Sequence, residues 1–406
     1  MTSKFALGVI GVCLLIFSTM AKAQDSQYYG SSSKVFNVMS YGAVADDKTD
    51  NSQAFLKAWN DACQWKGRSK VLIPKGTYVL NSLTFQGPCK GSTTILIKGV
   101  LKAPTDPSLF NPNTWIGFLY VSGLVVKGGG YLDGQGASAW PYNDCSKNSH
   151  CMSLPATMRF DFVTNSEIHH VKSINSKNTH FNLFACNNIN MTYLSISAPA
   201  NSPNTDGIKI GKSTNIKISR TIIQTGDDCI SMVSGSRNID ISDVTCGPGH
   251  GISIGSLGKS PGEFVEGINV RNVTFIETQN GVRIKTWAPS LSSVASNIFF
   301  SDIHMQNVNN PIFIDQQYCP HTTCSSGKPS SQVEIKNVKF RRIWGTSSSK
   351  VAISLKCSAL VPCKNVELED INLAYHGHHG SGSATSSCSN VIGVSHGTQF
   401  PPNCIN

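Results

Sequence analysis

The feature that most constrains this chain is a short apolar run that returns four times between residues 204 and 285, each time at a polar or charged motif. The runs are Ile208-Lys209-Ile210, Ile230-Ser231-Met232, Ile252-Ser253-Ile254 and Val282-Arg283-Ile284. Each alternates apolar and polar positions, the period of a strand with one buried face. The first three start 22 residues apart and the fourth follows 30 later. Further copies start at Phe181, Ile312 and Ile353. A second template, apolar-x-apolar-x-x-apolar, interleaves with the first. It starts at Ile95, Leu124, Ile189, Ile216, Ile239, Ile268, Ile298, Val333 and Val366, and imperfectly at Ser166. One such coil cannot bury its own apolar side, but a stack of them can. The pattern therefore predicts an all-β chain: a single-stranded, right-handed parallel β-helix of about ten coils. A propeller needs roughly 40 residues and four strands per blade, and the 3.6-residue period of helical repeats is absent.

The ends of such a stack need covers, because open sheet edges invite association. Residues 34–44 read as a first strand and turn. Thr49 or Asp50 is placed to cap a helix running to about Trp65, with Ala54, Phe55, Ala58, Trp59 and Ala62 on one face as a lid. At the other end, the Ser/Gly/His-rich run His376–Ser387 reads as a loop. Residues 1–23 have the form of a secretory signal: Lys4, the apolar stretch Ala6–Phe17, then Ala21-Lys22-Ala23. Residues 24–406 are then expected to form one secreted catalytic domain, extracellular or in a cell wall. The apolar run is short for a membrane span, and no later segment has 18 apolar residues.

Secretion suits the cysteines. Cys13 leaves with the signal, and Cys145/Cys151, Cys319/Cys324, Cys357/Cys363, Cys388/Cys404, Cys229/Cys246 and Cys63/Cys89 are plausible disulfides, with Cys186 odd. No CxxC spacing points to a metal. Asn190-Met-Thr and Asn272-Val-Thr are glycosylation acceptors.

Register brings chemistry together. Asp206, Asp228 and His250 each stand two residues before an apolar run, with Asp227 beside the column. Stacked coils lie roughly 4.8 Å apart, so these residues should be neighbours. Two carboxylates at about 5 Å repel by roughly 3 kcal/mol at an effective dielectric near 20. One should therefore hold its proton at mildly acidic pH, which is the equipment of general acid and base catalysis. Arg283 and Lys285 should face outward on one strand, able to grip a single anion. Strict alternation would aim the Asp206/Asp228/His250 column inward, so a bend must precede each strand; Gly207 and Gly251 permit one, Cys229 less obviously. The net charge of +10 suits a polyanionic partner. Without a basic stripe interleaved with aromatics, nucleic acid is disfavoured.

Asn204-Thr205-Asp206, Gly226-Asp227-Asp228, Gly249-His250-Gly251 and Arg283-Ile284-Lys285 stand here in the order found in the polygalacturonases, glycoside hydrolase family 28. The chain resembles that family from about Val35 to Cys404, including "VFNVMSYGAVADDKTDNSQAF" and "DQQYC". "FNLFACNNI" and "NGVRIKTW" look most like its plant exo-acting, pollen-type members, among which allergens occur. The resemblance implies hydrolysis of α-1,4-galacturonan in polygalacturonate or pectin, with inversion, by a monomer that uses no metal or cofactor and binds neither nucleic acid nor membrane. It implies Asp227 as general acid, Asp206 and Asp228 as activators of water, and His250 as keeper of the acid's protonation or orientation. Arg283 and Lys285 would bind substrate carboxylates, and Tyr318 and Asn204 would complete the substrate contacts. The alternatives are an endo-acting polygalacturonase, a lyase on the same fold, and a pectin-binding allergenic β-helix with little activity.

Overall fold

The computed structural model describes residues 33–110, 114–143, 153–320, 330–377 and 380–405. From Ser33 the chain is one compact unit. The proposed signal, the start of the expected domain at residue 24, and the pairs Cys145/Cys151 and Cys319/Cys324 involve residues outside the described ones.

Each apolar run lies directly on its predecessor. Ile208 pairs with Ile230, Ile230 with Ile252, Ile252 with Val282, Val282 with Ile312 and Ile312 with Ile353, all in parallel register. These side chains are fully buried, so the repeat written in the sequence is a ladder of core residues up one face. Eleven strands form this front sheet, from Leu83–Gln86 to Thr385–Ser389. The second template forms a twenty-stranded sheet around the rest of the coil. The architecture is the expected right-handed parallel β-helix.

Two copies of the second template are out of register with their neighbours. Ile298 pairs with Val338, whereas Val333 pairs with Ser293. Leu124 pairs with Thr93 rather than Ile95. The frame Val333-x-Ile335-x-x-Val338 and the frame Val338-x-Phe340-x-x-Ile343 match the apolar template equally well, and all of these residues are buried. What separates the registers is the turn residue. Asn215, Asn238, Asn297, Asn337 and Asn365 each precede the paired apolar residue in a left-handed conformation. Their amides form a ladder, with Asn337 donating to Asn297 and Asn365 to Asn337, each at 2.9 Å.

The lid exists as a helix over Ser52–Gln64. Its N-cap position is Asn51, not Thr49 or Asp50, because Asp46–Asp50 is used as a strand. The Asp50 carboxylate nevertheless accepts the Ser52 N–H at 3.0 Å. Ala54, Phe55, Ala58, Trp59 and Ala62 are buried as expected, and the Trp59 indole donates to the Gln86 carbonyl at 3.0 Å. The Cys63–Cys89 disulfide ties the helix end to the first coils.

At the other end the expected loop is instead an antiparallel hairpin. Cys363–Gly377 pairs with Gly380–Ser383, and Thr385–Ser389 then joins the front sheet. The open edge accepts strand partners whatever the local composition, and this hairpin occupies it. The disulfides Cys229–Cys246, Cys357–Cys363 and Cys388–Cys404 form as expected, and Cys186 is free and buried.

Candidate active site

The front sheet leaves its core at the residues just before each apolar run. Gly207 and Cys229 are bends rather than strand, which turns Asp206 and Asp228 out of the alternation that would bury them in the core. At Gly207 the requirement is room: a Cβ there would lie 2.5 Å from the Cys229 carbonyl oxygen and from Ile223 Cγ2. Cys229 makes its bend without a positive φ, so no glycine is needed, and its thiol pairs inward with Cys246. Gly251 is the conformational case, at φ +84° and packed against the Asn280 and Gly281 carbonyls.

Asp206, Asp227, Asp228, Lys285, Tyr318 and Asn204 line a cleft of about 520 Å³. Asp206 and Asp228 are nearly buried there, whereas Asp227 is partly open. The two buried carboxyls have opposite surroundings. Asp228 Oδ1 accepts from Ser253 Oγ at 2.7 Å and Arg283 at 2.9 Å, and its Oδ2 accepts from Lys285 Nζ at 2.9 Å. Burial alone would raise its pKa, but Lys285 and Arg283 overcome that and hold it down at about 2. Asp206 has one such bond, from Ser231 Oγ at 2.9 Å, and burial followed by the Asp227 charge pushes it up to about 7. Through mildly acidic pH the cleft thus holds a permanently ionised carboxylate and a protonated carboxyl together.

Two expectations about geometry change. His250 does not extend the Asp206–Asp228 column. Flanked by Gly249 and Gly251, both at positive φ, it turns aside so that Nδ1 lies 3.0 Å from Asp227 Oδ1. That hydrogen bond raises the imidazole's pKa against the effect of burial. Arg283 and Lys285 do converge on one anion, but it is Asp228 of the same chain, and of the two only Lys285 lines the cleft. Tyr318 sits beside Trp287, ring centres 5.2 Å apart, with Lys285 Nζ 5.4 Å from the Tyr318 ring. Asn204 donates to Asn143 Oδ1 at 2.8 Å.

The sequence reading missed the serines. Ser231 serves Asp206, and Ser253 serves Asp228, in each case from the next coil. A signal was available, since both occupy the outward position of the apolar run, in register with Lys209 and Arg283. Lys209, Lys259 and Trp287 also line the cleft, with Lys259 Nζ 4.4 Å from the Trp287 ring.

Asp227, Asp228 and His250 bring three possible ligand atoms within 4.8 Å of one another. Arg283, Lys285 and Ser253 already occupy most of the lone pairs of Asp228, however, and a metal ion there would also meet like charge. The arrangement is suited instead to moving a proton and activating water on an anionic substrate.

Comparison with known proteins points the same way. The model of the glycosyl hydrolases family 28 matches residues 63–398. An exopolygalacturonase of Platanus acerifolia is 47% identical over 91% of this chain and 98% of its own length. A polygalacturonase of Gossypium hirsutum is 46% identical over 97% and 94%. Among solved structures, the endo-xylogalacturonan hydrolase of Aspergillus tubingensis superposes with a TM-score of 0.77 at 24% identity, over 90% of this chain and all of that one.

Proposed function

The chain belongs to glycosyl hydrolase family 28, and we propose on that footing that it is a secreted polygalacturonase that releases galacturonate from chain ends with inversion. It hydrolyses the galacturonosyl bonds of polygalacturonate and pectin. The observation that carries the reading is the pairing of a protonated and an ionised carboxyl, Asp206 and Asp228, beside the open carboxyl of Asp227 in a lysine-lined cleft.

Asp227 is the carboxyl that presents the proton to the leaving oxygen, because it is the most exposed of the three in the cleft. Asp206, held protonated by burial and by the neighbouring Asp227 charge, keeps a second proton within the cleft. Asp228, fixed as an anion, orients and deprotonates the attacking water together with Asp206 once the latter has yielded its proton. His250 steadies Asp227 through the 3.0 Å contact. Lys209, Lys259 and Lys285 attract the substrate's carboxylates, and Tyr318 with Trp287 offers apolar surface to the sugar. Exo action is supported by the exopolygalacturonase relatives. Secretion is supported by the disulfides, and glycan attachment by the exposure of Asn190 and Asn272.

The test is early product size on polygalacturonate, with ultraviolet absorbance followed in parallel. Monomer alone without an unsaturated uronide supports the reading. Mixed oligomers would make the enzyme endo-acting, an unsaturated product would make it a lyase, and no cleavage would leave a binding protein.

A further inference from the structure

A second depression, of about 720 Å³, shares no lining residue with the cleft. The two meet where Asp227, on the cleft side, contacts His250, which lines the depression with 38% of its side chain exposed. The linings differ in kind. The cleft presents Lys209, Lys259 and Lys285, while no lysine or arginine lines the depression. Its wall instead carries the exposed amides of Gln279, Asn307 and Asn309 and the carboxylate of Glu277. Its floor includes Thr278, 2% exposed, with its hydroxyl closed off from the depression.

We propose that this depression is a second carbohydrate site, built for a neutral, hydroxyl-rich sugar rather than for galacturonate. Each amide offers both a donor and an acceptor, the pairing that neighbouring sugar hydroxyls require. Glu277 repels a uronate, and no cation compensates for it. No aromatic platform lines the depression, so affinity falls in the millimolar range. The natural source of such a ligand is a neutral-sugar branch carried by a pectic polymer.

The test is saturation-transfer NMR on the whole enzyme with galactose, arabinose or xylose at millimolar concentration, in excess galacturonate to fill the cleft. The expected result is transfer to at least one neutral sugar that galacturonate does not suppress. Gln279→Ala should weaken it about two- to tenfold, the worth of one hydrogen bond. Asn309→Trp, which fills the depression, should abolish it. Both variants should cleave polygalacturonate at the wild-type rate. Absence of transfer from all three sugars overturns the proposal, and so does displacement by galacturonate. Should Asn309→Trp misfold, Gln279→Ala decides alone, because its side chain is exposed; unchanged transfer there places the sugar elsewhere. Failure of this test leaves the hydrolase reading intact, since hydrolysis is scored separately.

Discussion

On the twenty-stranded sheet, Lys339 bridges Glu367 at 2.8 Å and Glu369 at 2.7 Å, with about a third of its side chain in water. On the front sheet, Asp228 is bridged by Arg283 and Lys285 at 2.9 Å each, with almost none of it in water. Both triads join charged residues from stacked coils; all three of the exposed set stand at outward strand positions, whereas Asp228 stands in the bend before its strand. In the exposed triad solvent screens the charges, and such pairs contribute little. In the buried one the surroundings fix protonation: Asp228 stays ionised while Asp206, lacking the cations, keeps its proton. The repeat supplies neighbours, and burial turns one set of neighbours into a reactive site.

The largest expected effect comes from removing the proton donor. Asp227→Asn keeps shape and the open position, so kcat should fall by at least about a hundredfold with KM little changed. Retention of more than a tenth of wild-type kcat would move the acid to Asp206, the carboxyl that burial keeps protonated.

Next comes the buried triad itself. Lys285→Met removes a charge-assisted bond of roughly 1.5–3 kcal/mol. It should lower kcat/KM about ten- to a hundredfold and raise the pH at which Asp228 becomes protonated, moving the acid limb upward. Because the pair is buried, added salt should not reproduce the loss. A defect that salt abolishes would mean Lys285 acts only through long-range attraction.

The pH profile gives a finer test. Asp206 is a carboxyl raised to about 7, so its protonated form persists below that pH and is lost above it. Activity should therefore fall as pH rises through about 7. Ser231 Oγ donates to Asp206 and so favours the ionised form; Ser231→Ala should shift the alkaline limb up by at most about one unit, the worth of a hydrogen bond. A downward shift would contradict the sign.

The smallest effect belongs to the exposed triad. Lys339→Ala should leave kcat unchanged and lower Tm by at most about 2 °C, followed by thermal melting. A larger loss would mean that burial does not separate the two triads.

How far the sequence could be read follows the same division. The register of seven of the eleven front-sheet strands was legible, because the runs from Phe181 to Ile353 form a strict one-sided pattern that core burial enforces. Asp206, Asp227 and Asp228 could be placed together from register alone. The position of His250 could not, since it depends on how two positive-φ glycines turn one residue. Nor could the fate of Arg283: strand alternation says which way a side chain leaves the sheet, not which anion it meets first. The Val333 register failed because two apolar frames overlap there and only the asparagine turn distinguishes them. At the C-terminal end, composition suggested a loop where an unfilled sheet edge imposed strands.

The central claim is that Asp227 protonates the leaving oxygen while Asp206 and Asp228 act directly on water, without a covalent intermediate. Proton NMR of the first-formed product, recorded before mutarotation, tests it most directly. Inverting enzymes separate their acid and base carboxyls by about 6.5–9.5 Å to admit water, so the first galacturonate released from an α-linkage should be the β-anomer. An initial α-anomer would require a covalent glycosyl intermediate and would contradict the roles assigned to Asp206, Asp227 and Asp228.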